Sequence, residues 1–204
     1  TEIASDLIEL FNYLSGFSKQ KNYKKLLVSP FSMRKKFISL IEREIINTKN
    51  GKKGEIIAKM NSLVDPEIIE LLYKASQCGV KINLIIRGIC CLCPKRKNLS
   101  ENITVISIIG HFLEHSRIFW FYNDNNPEAY IGSADWMRRN LDRRIEAVTP
   151  IEDNKLKKQL HNLLLTYIND NYCAWEMDEV GNYLKRSKKK AVQNSQFDLI
   201  KSWH

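Results

Sequence analysis

Residues 112–136 read FLEHSRIFWFYNDNNPEAYIGSADW. His115 and Arg117 stand two apart, just ahead of an apolar and aromatic run, and a polar turn leads to a second short run that ends in Gly-Ser-Ala-Asp. Near neutral pH an imidazole can attack phosphorus or give a proton to a leaving oxygen. A guanidinium on the same face would hold the phosphoryl oxygens meanwhile, and two residues of a strand spaced by two do share a face. Ser133 and Asp135 add a hydroxyl and a carboxylate on a small turn, able to bind phosphate or to orient the imidazole. Arg87 follows the run NLII and precedes Gly88; a planar fork suits phosphate oxygens, and glycine lets a ligand approach the backbone. Lys59 and Asn61 follow a strand-like run and could also reach phosphate. Each has a plainer reading: Arg87 as a helix-capping surface residue, Lys59 and Asn61 as a structural turn, Trp136 as a packing anchor. His161 is expected on the exposed, polar side of a helix, and His204 is terminal, with no context.

The elements that must position these groups alternate. Ile3, Leu7, Leu10, Phe11 and Leu14 form one helical stripe over residues 2–14, ended by Gly16 and a polar stretch. Ser29-Pro30 opens a longer helix with Met33, Phe37, Leu40, Ile41, Glu44, Ile45 and Thr48 on one side, ending near Asn50-Gly51. GEIIAKM reads as a strand. Asp65-Pro66-Glu67 starts a helix, and VKINLIIRG reads as the next strand. Strand, helix and strand within about 35 residues is the size of a βαβ crossover with parallel pairing. Residues 104–110 form another strand, 117–122 and 128–132 a hairpin, and 143–151 a further strand. A helix over about 153–171 turns Leu156, Leu160, Leu163, Leu164, Tyr167 and Ile168 inward. Residues 181–192 read as a polar, basic loop before a short helix around 195–202. The sum is an α/β domain, one mixed sheet flanked by helices, with ligands expected beyond the carboxyl ends of its parallel strands.

The 204 residues are 44% hydrophobic and carry a net charge of +9, a balance that attracts polyanions. The run LKRSKKK, residues 184–190, holds much of that charge and reads first as solvated surface. No apolar run approaches the ~20 residues of a membrane helix, and no secretion signal opens the chain. Five cysteines, three of them in ICCLC, suit a reducing cytosol. Cys90, Cys91 and Cys93 could suggest zinc, but no second pair stands at ligand spacing, and no metal site is assigned. With no initiator methionine, the chain reads as cut from a longer one.

His-x-Arg with the later Gly-Ser-x-Asp turn resembles the phospholipase D-like motif of His-x-Lys, a later Asp and Gly-Ser-x-Asn. Here Arg117 replaces the lysine, Tyr122 stands where the aspartate belongs, and Asp135 replaces the asparagine. These departures point to a specialised branch. Over Val28 to Ile151 the segments AKMNSLVDPEIIELLYKAS, GVKINLIIRGICCL, LSENITVISIIGHFLEHSRIF and YIGSADWMRRNLDRRIEAVTPI resemble the C-terminal catalytic region of polyphosphate kinases. The resemblance implies a phospholipase D-like fold and reversible transfer of the terminal phosphate of ATP to inorganic polyphosphate, with Mg2+. It also implies a partner half: a preceding, similar domain bearing the histidine that is phosphorylated and the magnesium ligands. Residues 1–22 are then the terminal helix and linker of that domain, and 23–204 the second domain. Arg87 and His115 match positions that contact ATP, with His115 an acid or transition-state stabiliser. Arg117, Ser133, Asp135, Arg139 and Arg144 are further candidates for a phosphate channel. The expected partners are ATP or ADP, polyphosphate and the rest of the same polypeptide, in a homo-oligomer without nucleic acid, in the cytoplasm or at a membrane. Two other readings stay open: a phosphodiesterase or nuclease that dimerises to pair two histidines, and a non-catalytic polyanion-binding module working through its basic tail.

Overall fold

The computed structural model describes residues 1–186 and 191–202. Helices α1 (Glu2–Leu14), α2 (Met33–Lys49), α3 (Pro66–Gln77), α4 (Arg138–Asp142), α5 (Asn154–Asn169) and α6 (Ser195–Ser202) surround strands β1 (Leu27–Ser29), β2 (Glu55–Met60), β3 (Lys81–Ile86), β4 (Ile103–Ile108), β5 (Arg117–Phe121), β6 (Glu128–Gly132), β7 (Glu146–Ile151), β8 (Ala174–Met177) and β9 (Tyr183–Lys185). Among the described residues the strands form one sheet in the order β1-β7-β6-β5-β2-β3-β4-β8-β9. β2, β3 and β4 are parallel, as the βαβ spacing requires, and the β5–β6 hairpin lies antiparallel against β2.

Period-two alternation divides the core. Ile56, Ala58, Met60, Ile82, Leu84, Ile86, Phe119 and Phe121 face α2 and α3. Ile57, Ile85, Ile106, Ile118 and Trp120 face α5, which contributes Leu164 and Tyr167. Lys59 follows the odd-numbered rule and so enters the α5 layer. Asp65 caps α3 by accepting from the Ile68 N–H at 3.1 Å, as Asp-Pro-Glu predicts.

Several expectations are corrected. The helix announced by Ser29-Pro30 starts at Met33, and Ser29 belongs instead to the edge strand β1, paired with β7. In the α1 stripe, Leu7, Phe11 and Leu14 are exposed, while Leu10 and Asp6 are the buried residues of that helix. The strands expected at 104–110 and 143–151 run instead over 103–108 and 146–151, and the single turn α4 had no periodic signal. Leu156 is exposed. The expected loop at 181–192 contains β9, which pairs with an unforeseen β8. His161 is half-buried and stacks on Trp120 with ring centroids 4.4 Å apart. Residues 187–190, most of the basic run, and His204 lie outside the described residues; within that run Arg186 is spoken for, 2.7 Å from Glu176.

Candidate functional site

Topology builds one rim. β2 and β3 run parallel and end together at Met60 and Ile86, antiparallel β5 begins there with Arg117, and β6 ends there, Gly132 lying opposite Arg117. Asn61, Arg87, Arg117 and the 133–135 turn therefore meet although they are scattered over 75 positions (61 to 135). This is where ligands gather in open α/β sheets.

A continuous polar chain runs along the rim. Arg87 Nε donates to Asn61 Oδ1 at 3.1 Å, the Asn61 N–H donates to Asp135 Oδ1 at 2.9 Å, and Arg117 Nε donates to that same oxygen at 3.0 Å. Arg117 Nη1 then reaches the His115 carbonyl at 3.0 Å and His115 Nδ1 at 3.1 Å. The same Nη1 lies 3.4 Å from His115 Nε2, so the guanidinium sits against the imidazole ring and fixes where it stands. Asp135 is buried and His115 exposed. His115 sits in the loop before β5 rather than on the strand, so Arg117 and not strand geometry places it. Asp135 does not orient the imidazole directly; it fixes Arg117, which does.

Lys59 lies within β2, not after it, and is 2% exposed. Its Nζ is 3.0 Å from Glu114 Oε2, donates to Ser116 Oγ at 2.8 Å, and lies 4.9 Å from the Tyr167 ring centre. Burial pushes the ammonium pKa down, Glu114 opposes this, and Arg117 and Arg87 push it down further. Arg87 and Glu114 open onto a cavity of about 420 Å³ lined also by Ile108, Gly110, His111 and Phe112.

Three of the expected residues do not join this chain. The Ser133 hydroxyl donates to Glu146 and accepts the Ala147 N–H at 3.2 Å, facing β7. Arg139 and Arg144 are exposed at and beyond α4, with no ion pair among the described residues. Tyr122 stands at the opposite end of β5, under Lys53 at 4.3 Å. Trp136 is fully buried against Phe37 and Phe119, so its role is packing. The five cysteines are free, and burial pushes the Cys90 thiol up to about 11. Glu114, Ser116 and Gln196 were missed: a lone Glu before His, or a Gln 82 positions away, carries no spacing signal.

The family description "Polyphosphate kinase C-terminal domain 2" matches residues 26–196. The chain belongs to the polyphosphate kinase family. It is 60% identical over 204 residues to the polyphosphate kinase of Prochlorococcus marinus, covering 99% of this chain and 29% of that protein. It is 53% identical to that of Synechocystis, covering 98% of this chain and 27% of that protein. The crystal structure of the polyphosphate kinase from Porphyromonas gingivalis superimposes with a TM-score of 0.95 at 39% identity, over 99% of this chain and 31% of that one. The chain thus spans under a third of the polyphosphate kinases it matches. The phospholipase D family member Nuc from Salmonella typhimurium matches with a TM-score of 0.52 at 18% identity over 80% of this chain; that likeness concerns the fold, which is phospholipase D-like. The family's expected Mg2+ finds no fitting donor set here. Among the described residues no group of three His, Cys, Asp or Glu could hold a metal, and the rim carboxylates Asp135 and Glu114 are already engaged by Arg117 and Lys59.

Proposed function

We propose that this domain is the nucleotide- and phosphate-gripping half of a polyphosphate kinase, moving the terminal phosphate of ATP to inorganic polyphosphate and back. The observation that carries the reading is the rim on which Arg87, Arg117 and His115 are joined through Asn61 and Asp135 within 3.1 Å contacts, in a chain of this family. A histidine of the preceding domain would attack the γ-phosphorus as the bond to the β–γ bridging oxygen breaks, releasing ADP. A terminal polyphosphate oxygen would then take the phosphoryl group from the ring nitrogen. Arg87 and Arg117 supply positive charge where the transferring group spreads its negative charge, and His115 offers a ring N–H to a phosphate oxygen. Arg139 and Arg144, exposed and without ion pairs among the described residues, are proposed to guide the polyphosphate chain, with Ser133 at its margin. Magnesium ligands are assigned to the preceding domain.

Residues 1–22 are proposed to be the last helix and linker of that preceding domain, with 23–204 the second domain. Supporting this, α1 leaves Ile8, Phe11 and Leu14 exposed, and Phe17 just beyond it is exposed too, an apolar surface that a neighbouring domain of the same polypeptide would cover. Oligomerisation through that longer polypeptide belongs to the same reading. The proposed setting is the cytoplasm, where five free thiols stay reduced; no described helix is long and apolar enough to cross a membrane.

The test uses the full-length polypeptide and labelled ATP. Arg87→Ala and His115→Ala are each expected to lower polyphosphate synthesis by about 100-fold or more, the scale of a lost transition-state donor. Neutralising Lys188, Lys189 and Lys190 is expected to leave synthesis nearly unchanged, and the isolated domain to acquire no acid-labile phosphate. The opposite ranking would favour a polyanion-binding module, and phosphodiester hydrolysis by the purified chain would favour the nuclease reading.

A further inference from the structure

His115 is exposed on a loop outside regular structure, yet the loop does not float. Its even-numbered positions are gripped from within the protein. Gln196, on α6 and 4% exposed, closes a two-point clasp on the Phe112 backbone. Its Nε2 donates to the Phe112 carbonyl at 2.8 Å and its Oε1 accepts the Phe112 N–H at 3.1 Å. The same Nε2 donates to Glu114 Oε1 at 2.8 Å. The other Glu114 oxygen meets Lys59 at 3.0 Å, and Lys59 donates to Ser116 at 2.8 Å. Phe112 through its backbone, and Glu114 and Ser116 through their side chains, are thus tied down in alternation.

The fit around Gln196 is close. A Cβ on Gly110 would lie 2.3 Å from Gln196 Oε1 and 2.9 Å from Cys173 Sγ, so only glycine leaves room for the amide. The start of α6 is itself fixed. Ser195 donates to the fully buried Asp170 through its N–H at 2.7 Å and its hydroxyl at 2.6 Å, while the other Asp170 oxygen accepts the Tyr172, Cys173 and Ala174 N–H groups.

We infer that Glu114 and Gln196 are positioning residues, through which the C-terminal helix α6 sets where His115 and Arg117 stand. This rests on the phosphate-gripping reading of the rim. Neither residue needs to touch substrate: Gln196 fixes the loop path, and Glu114 supplies the buried counter-charge that keeps Lys59 in place. Misplacing a reacting group by about 1 Å can cost up to roughly 100-fold in rate, so a loosened loop is expected to register in catalysis.

The experiment compares Gln196→Ala with wild type in the full-length polypeptide, well below either melting midpoint. Three quantities are read: kcat/KM for ATP in polyphosphate synthesis, hydrogen exchange of residues 109–116, and the His115 ring resonances in histidine-labelled protein. The expected result is a loss of about tenfold in kcat/KM, with faster exchange confined to the loop and shifted or broadened His115 signals. Gln196→Glu has the same shape but cannot donate to Phe112 or Glu114; it is expected to behave likewise and replaces the alanine variant if that one does not fold. A lowered melting midpoint with wild-type kcat/KM, loop exchange and His115 resonances would overturn the inference, because that is what a merely structural glutamine gives. If the wild-type polypeptide makes no polyphosphate, the phosphotransferase reading falls. Exchange and resonances then still decide the clasp on their own.

Discussion

At the scale of single residues, burial changes what a side chain is for. His161 was expected on the polar side of its helix and proves to be stacked on Trp120. Burial lowers its pKa below the ordinary 6.5; Glu55 pulls the other way and Lys53 adds to the lowering. The unfolded chain therefore takes up this proton before the folded one does. The contribution of His161 to stability is full above pH 6.5 and declines as pH falls below it towards the folded value. His161→Phe keeps the stack and removes the titration. Its melting midpoint is expected to fall less than that of wild type between about pH 7.5 and about pH 5.5, either side of an ordinary imidazole. Identical pH dependence in both proteins would rule the account out. Lys59 makes the same point from the other side: a lysine at the end of a strand-like run could as well have been solvated, and only the layer it enters makes it a buried cation needing Glu114.

At the scale of elements, one guanidinium fastens three helices. Arg34 on α2 donates to Asp65 at 2.9 and 2.6 Å, to Glu67 at 2.6 Å and to Asp142 at 2.6 and 2.7 Å. The start of α3 and the end of α4 are so tied to α2, and α4 follows directly on the turn that carries Asp135. Asp65 is 1% exposed, and a charge left buried without its partner is costly. Arg34→Met is expected to destabilise by about 3 kcal/mol in urea unfolding. Adding Asp65→Asn, which keeps an N-cap acceptor but removes the charge, should restore much of it. An Arg34→Met protein with wild-type stability would show the network to be idle. Gly132 plays the matching part on the sheet: a Cβ there would lie 2.4 Å from the Ala147 carbonyl oxygen, so glycine permits the close β6–β7 approach at the rim.

At the scale of the whole molecule, charge sets how a polyanion is met. The net charge of +9 on this chain would attract a polyanion such as the proposed polyphosphate over a distance that salt shortens, from roughly 10 Å at about 0.1 M to roughly 3 Å at about 1 M. Polyphosphate binding by this domain is expected to weaken at least tenfold across that range. Arg87→Ala should lower affinity at both ends, because a rim contact is screened less than a distant one. Affinity indifferent to salt would remove electrostatics from the account of substrate capture.

The sequence by itself determined the helices and central strands, because periodicity of 3.6 or 2 is written in neighbouring residues. Thus 66–77, 81–86 and the 117–132 hairpin were legible, as was the placing of Arg87 at the carboxyl end of a parallel strand; the histidine motif joins it only because antiparallel β5 starts where β2 and β3 end. It could not announce β1, β8, β9 or α4, each too short for a period and stabilised by partners distant in the chain. Nor could it show that Ser133 turns to Glu146, that Asp135 serves His115 only through Arg117, or that Gln196 and Lys59 hold Glu114. Most of those contacts join residues from 13 to 82 positions apart and leave no spacing behind. Only the folded sheet brings such groups within hydrogen-bonding distance, where burial makes each unpartnered charge or amide too costly to leave unmatched.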